Sequence, residues 1–397
     1  MAAQSTPTRT ILLTGATGFV GMTVLHRLLA AGRHVTCLVR ADDDEQADAR
    51  LRAVLARIDA PPTGSARAVA GDVTAERLGL GDRHDELAAQ TGTVIHGAAS
   101  IVFDLPLDEA RAINVQGTRR VVEFAAAAPA LERYVHVSTA YVAGDRRGTA
   151  YEDDAEHGAF RNAYEQTKHE AERLVRASGL PWTIARPSIV VGESDSGWTS
   201  SFNVLYGPLR AFAAGAYRVV PARRRSPVDV VPVDYVADAV VALAGHPEAV
   251  GETVHLTAGP ETTTVGEIMG MATRGLDRAL PRLVPPRLYP PLVHRLVMRS
   301  APRASQRLLA RSQVYFPYFS MRVRFDDARA RALLGPQGIE VPHLESYFDR
   351  LIAFARAARW GRRPLGRAEA RELAGEGPDL RAPELSSSRR RATAPAR

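Results

Sequence analysis

Along the first two thirds of the chain, short apolar runs alternate with longer stretches of helical spacing, which predicts strands and helices in turn. Thr10–Thr14 is an apolar run that ends in a glycine turn, and residues 22–31 follow with helical periodicity. His34–Val39 predicts a second strand, residues 42–59 a helix with acids in its first turn, and residues 66–70 a third strand. The series continues with a strand at 93–96, a long helix over 108–127, a strand at Arg133–Val137, a helix at 161–177 and a strand at 182–185. Such alternation builds a parallel sheet covered on both faces, with a ligand crevice at the carboxyl ends of its strands. The expected fold is α/β, a doubly wound parallel Rossmann sheet.

Beyond Arg186 the pattern changes. Residues 192–227 are rich in Gly, Ser, Pro and aromatics and suit a ligand-covering segment. A strand is predicted at 228–233, a helix capped by Asp234 and running to about Ala244, and another strand at Glu252–Leu256. From Val265 to about Arg359, prolines including Pro281, Pro290 and Pro302 break short helical segments into a smaller, mostly helical substrate domain. The expected organisation is a flexible N-terminus (1–9), a Rossmann domain (10–191 with 228–259), substrate-binding segments (192–227 with 260–360), and a disordered basic tail (361–397).

Composition narrows the class. Of 397 residues, 45% are hydrophobic and 24% charged, and no apolar run reaches the roughly 18 residues of a membrane span. The first ten residues lack the order of a signal peptide, so a soluble cytoplasmic protein, monomer or homodimer, is expected. Cys37 is the only cysteine, which excludes an internal disulfide and makes a zinc cluster, or any metal site, unexpected. The net charge of +7 is uneven: residues 274–324 hold many arginines and one acid, Asp277. That stretch could draw a polyanion, such as nucleic acid or a phosphorylated carrier, or simply lay arginine stems over apolar helix faces. No nucleic-acid partner is expected; coenzyme A or an acidic carrier protein is the favoured occupant.

Gly15, Gly18 and Gly21 stand three apart between a predicted strand and helix, where a tight turn, close backbone approach and a helix N-terminus together suit a pyrophosphate. No Gly-Lys-Ser or Gly-Lys-Thr is present, which excludes a P-loop. The second strand ends on Arg40 where an NAD site usually has an acid, so NADP(H) is favoured and NAD(H) remains possible. Asp72 ends the third strand and could accept from an adenine amino group or cap the next turn.

Of the 51 basic residues one is a lysine, Lys168, and it follows Tyr164 by one helical turn. An ammonium beside a phenol lowers the tyrosine pKa toward the neutral range, and the same lysine could hold ribose hydroxyls. The strand at Arg133–Val137 ends in Ser138 and Thr139, whose hydroxyls could orient a carbonyl beside Tyr164.

These residues resemble a family. Thr14-Gly-Ala-Thr-Gly-Phe-Val-Gly21, His96-Gly-Ala-Ala99, Asn114-Val-Gln-Gly-Thr118, Ser138-Thr139, Tyr164-Glu-Gln-Thr-Lys168 and Arg186-Pro-Ser-Ile-Val190 look like the successive motifs of the extended short-chain dehydrogenase/reductases over residues 10–260. The resemblance implies Tyr164 as proton donor, Lys168 tuning it, Thr139 as the third member with Ser138 as its rival, and Asn114 supporting the helix and a proton relay. It implies a cofactor site of Gly15, Thr17, Gly18, Phe19, Val20, Gly21, Arg40, Asp72, Val73, Ala98, Ala99, Lys168, Pro187, Ser188 and Ile189. Within the superfamily, His96-Gly-Ala-Ala-Ser-Ile-Val-Phe-Asp104, Ser138-Thr-Ala-Tyr141 and Val228-Asp-Val-Val-Pro-Val-Asp-Tyr235 resemble the thioester reductase and fatty acyl-CoA reductase branch. That branch implies NADPH reduction of a small-molecule or carrier-bound acyl thioester to aldehyde or alcohol. A nucleotide-sugar epimerase or dehydratase, a steroid- or flavonoid-type alcohol dehydrogenase and a non-enzymatic NADPH sensor stay open as alternatives.

Overall fold

The structure, a computed structural model, describes residues 9–153, 157–202, 204–216, 219–284, 306, 317–318 and 320–375. Seven strands form one sheet: β1 (Thr10–Thr14), β2 (His34–Val39), β3 (Ser65–Ala70), β4 (Thr91–His96), β5 (Arg133–Val137), β6 (Trp182–Pro187) and β7 (Glu252–Leu256). Every pairing is parallel, and the spatial order is 3-2-1-4-5-6-7. The order reverses between β1 and β4, the switch point where doubly wound sheets open a crevice.

Strands buried on both faces need apolar residues at consecutive positions, and these have them. Leu13, Ile95 and Val135 pack with α1 (Phe19–Ala30) and its neighbour Val233–Gly245 on one face. Leu12, Val94 and Tyr134 point the other way, to Phe124 and Val175 of the helices Gly117–Ala126 and Ala163–Arg176. A second apolar cluster, with Leu209, Phe212, Ile268, Phe348 and Leu351, lies among the segments that follow the main alternation.

Four expectations are corrected. The long helix over 108–127 is three pieces, Leu107–Arg111 and Gly117–Ala126 joined by a π turn at Ala112–Gln116, where one residue more than an α turn is accommodated. The strand at 228–233 splits: Pro227–Val228 runs antiparallel to Thr263–Thr264, and Val230–Pro232 parallel to Ile189–Val191, outside the main sheet. Asp234 does not cap its helix; its carboxylate accepts from the backbone N–H and the hydroxyl of Ser194. The tail expected to be disordered from 361 opens with the helix Arg367–Ala374, whose Arg367 is 1% exposed. Its guanidinium binds the Glu193 carboxylate and meets the His26 ring, partners far away in sequence.

Residues 1–8 and 376–397, and most of the arginine-rich stretch 274–324, lie outside the described residues. Within its described part, Arg274 pairs with Glu345 and Arg278 donates to the Ala213 carbonyl. Among the described residues no helix is long and apolar enough to cross a membrane.

Candidate active site

At the end of β1 the chain turns through Gly15, whose φ of 81° and close approach to the Gly97 backbone, 2.6 Å from where a Cβ would stand, admit only glycine. A Cβ on Gly21 would overlap the Gly15 carbonyl oxygen, so the third glycine sets how tightly α1 seats on the turn. Gly18 is the N-cap of α1, no side chain caps it, and no acid stands in the first turn. Free backbone N–H groups and the positive end of a helix therefore face outward, the chemistry a pyrophosphate needs. The turn fits a dinucleotide.

Helix α6 (Ala163–Arg176) is started by Asn162, whose side chain accepts from the Glu165 N–H. That cap places Tyr164 in the first turn and Lys168 one turn later. Both line a cleft that also takes in Gly15, Gly18, Thr139 and Pro187, so the glycine turn and the tyrosine-lysine pair share one cavity at the carboxyl ends of β1, β4, β5 and β6.

The Tyr164 phenol and the Thr139 hydroxyl line the same cleft, and burial pushes the phenol up to about 12 against a smaller downward pull from Thr139. This corrects the expectation of a phenol lowered toward neutrality. The reason is where the ammonium sits: Lys168 Nζ donates to the Val137 carbonyl at 2.7 Å and lies 3.3 Å from His136 Nε2. Burial in turn pulls Lys168 down to about 8, against the pull of Glu172. Ser138 Oγ is buried without a hydrogen-bond partner among the described residues, and the Glu172 carboxylate is clamped by Arg186 at 2.7 and 2.9 Å. Both adjacent residues line the cleft with the phenol, and of the two it is Thr139 that draws the phenol's pKa down.

Asn114 sits in the π turn, 1% exposed, and does not line the cleft. Its amide donates to the Ser100 carbonyl and the Thr167 hydroxyl and accepts from the Ser100 N–H, tying the loop after β4 to α6. Phe19, Val20, Ala99, Ser188 and Ile189 join the cleft lining. Thr17 is exposed in the turn, Ala98 donates its N–H to Thr14 Oγ1, and Val73 packs toward Gly117.

A smaller pocket lies beyond β2 and β3, lined by Asp42, Asp43, Asp44, Asp72 and Arg83 among others. Asp72 Oδ1 accepts from the N–H and hydroxyl of Thr74, the turn-capping alternative. The acids are partly committed: Asp43 caps the helix Asp44–Arg57, and Asp44 binds Arg83, which holds its carboxyl below the usual range. Arg40 is exposed at the strand end and does not line this pocket.

A family model of the NAD-binding kind, described as "Male sterility protein", matches residues 13–240. The chain belongs to that family. The matched region is an NAD-binding domain of the extended short-chain dehydrogenase/reductase type. Among curated relatives, the L-2-aminoadipate reductase large subunit of Penicillium chrysogenum is 32% identical over 284 residues, 65% of this chain and 20% of that protein. The fatty acyl-CoA reductase wat of Drosophila melanogaster is 29% identical over 59% of this chain and 53% of its own length. The chain thus spans between a fifth and about half of these relatives. The crystal structure of the terminal R domain from the myxalamid PKS-NRPS biosynthetic pathway superposes with a TM-score of 0.77 at 26% identity, covering 91% of this chain and 93% of that one.

Three residues of the site and its surroundings escape sequence reasoning. Phe103, on the loop after β4, stacks between Tyr164 (5.6 Å) and Tyr318 (5.4 Å), forming an aromatic wall beside the phenol. Tyr318 comes from the C-terminal region; its hydroxyl donates to Glu165 at 2.7 Å and accepts from Asn162, so it braces the start of α6. Arg83 lines the smaller pocket beyond β2 and β3, where it pairs with Asp44. Phe103 stands inside a motif quoted for the resemblance, whereas nothing local marks Tyr318 or Arg83.

Proposed function

We propose that the chain uses NADPH to reduce an acyl thioester, held on coenzyme A or a carrier protein, to an aldehyde or onward to the alcohol. The observation that carries this reading is the single cleft joining the glycine turn to Thr139, Tyr164 and Lys168. The thioester part is supported by the relatives named as aminoadipate and fatty acyl-CoA reductases.

The glycine turn and the first turn of α1 would hold the pyrophosphate, and Lys168 and the Pro187 to Ile189 segment would hold the nicotinamide half. When bound, the nicotinamide supplies a hydride to the carbonyl carbon. Tyr164, protonated at neutral pH as an ordinary phenol is and kept so further into the alkaline range by burial, donates its proton to the carbonyl oxygen. Thr139 orients that oxygen by its hydroxyl. The hemithioacetal then collapses, breaking the carbon–sulfur bond to release the thiol and leave an aldehyde. Lys168 keeps a positive charge near the phenol while its oxygen is briefly negative, and Asn114 fixes the loop and helix that frame the site.

The assay is absorbance loss of NADPH with a panel of acyl-CoAs, aldehydes and nucleotide sugars. Oxidation with thioesters or aldehydes supports the reading; sugar interconversion without net NADPH loss replaces it. Since Lys168 loses its charge above about 8, kcat is expected to fall on the alkaline side with a midpoint near that pH, and a flat profile to pH 10 would disprove the role of the ammonium. For the cofactor, Arg40→Ala is expected to raise the Kd of NADPH about 10-fold and leave NADH nearly unchanged, by loss of a charge-assisted bond to the 2′-phosphate. Fluorescence titration with both nucleotides checks it; equal effects on the two would assign the discrimination to Arg83 or to no cation.

A further inference from the structure

Parallel register sets Thr14 of β1 beside His96 of β4, and His96 beside His136 of β5. Side by side in one lateral row, the three project to the same face of the sheet. That face is apolar one step earlier, at Leu12, Val94 and Tyr134, and becomes polar only at this edge. The two histidines differ in how they are satisfied. Both nitrogens of His96 have hydroxyl partners, Thr14 at 2.7 Å and Thr118 at 3.1 Å. His136 has one partner, the Lys168 ammonium. An ammonium only donates, so Nε2 of His136 carries the lone pair and the ring hydrogen sits on Nδ1. Nδ1 has no hydrogen-bond partner although the residue is fully buried, a cost that packing of an apolar side chain would avoid.

We propose that His136 is a positioning residue for the reduction: with the Val137 carbonyl it takes two of the three Lys168 N–H groups and leaves the third aimed into the cleft. The inference rests on the reading of Tyr164 and Lys168 as the reacting pair. Charged and titratable groups facing Lys168 are His96 and His136 from the sheet and Glu172 from its own helix, with Arg186 behind Glu172 and Arg176 acting on His136. Of these, among the described residues, His136 alone stands within hydrogen-bonding distance of Nζ. Burial keeps its ring neutral, so it accepts without repelling the ammonium. Replacement by an apolar side chain frees Nζ to turn and withdraws an acceptor from its charged form.

The test uses His136→Leu, His136→Asn and His136→Gln in the full chain. Gln carries its oxygen near the place of Nε2, whereas Asn is too short to reach Nζ. Leu and Asn are expected to lower kcat about 100-fold with an acyl-CoA substrate, as misaimed groups do. Their alkaline midpoint should move to lower pH, while Gln stays within about 5-fold of the parent in kcat and keeps its midpoint. Equal losses in Asn and Gln, or a parent-like profile in Asn, would overturn the proposal; if Leu fails to fold, the Asn and Gln pair decides. Should the parent reduce no thioester or aldehyde, the proposed function falls by itself. NADPH titration then decides for His136: weaker binding in Asn but not in Gln supports it, and identical binding in all three proteins refutes it.

Discussion

Replacing Tyr164 by phenylalanine is expected to lower kcat about 1,000-fold, the middle of the range for loss of a positioned general acid. The phenol lines the cleft with Thr139 and the glycine turn, and burial, which holds it at about 12, keeps it protonated even at alkaline pH. The variant keeps the aromatic ring, so the stack on Phe103 at 5.6 Å and the seating of α6 survive. Affinity for NADPH should therefore change by less than about 2-fold, since no hydrogen bond of the glycine turn is touched. Steady-state kinetics and a fluorescence titration on the same preparation separate the two. Turnover at the parent rate would mean that the proton comes from elsewhere and that the site has been misread.

The second large effect concerns stability. Arg367→Ala is expected to cost about 3–5 kcal/mol, because it leaves the Glu193 carboxylate buried without its counter-charge. Arg367 and Glu193 have side chains 1% and 0% exposed, and burial already lifts Glu193 to about 7 despite the guanidinium. Glu193→Gln should cost less, since a neutral amide is cheaper to bury than an unpaired charge. Urea unfolding followed by Trp198 fluorescence is the measurement, with Trp198 a local reporter through its indole bond to the Leu365 carbonyl at 3.2 Å. Trp198 also meets Phe19 at 6.4 Å, and Phe19 lines the cleft, so the loss should also weaken NADPH binding. An unchanged unfolding midpoint would show the terminal helix to be a passenger.

Most of the sheet was legible because each strand and helix writes its own period: Leu12 and Leu13 face opposite layers, and Asn162 caps a helix three residues from its first bond. The glycine turn was legible for a related reason, since three positions in seven residues suffice to specify it. The π turn at Ala112–Gln116 was not, because an extra residue in a helix leaves the apolar pattern nearly unchanged. Nor was the helix at Arg367–Ala374, whose charged sequence reads as solvated tail until Glu193 and His26 are brought to it.

From its sequence alone, then, this chain determines an alternating α/β core, a dinucleotide turn, and a tyrosine with the sole lysine one turn away, because each depends on neighbours a few positions apart. Tertiary structure alone decided that Ser138 and Thr139 share one cleft with the phenol, that Lys168 leans on His136 and Val137, and that Phe103 and Tyr318 wall the site. Those choices turn on which strand lies beside which and on how the C-terminal region returns to α6. Such contacts join residues tens to hundreds of positions apart, and no local pattern records them.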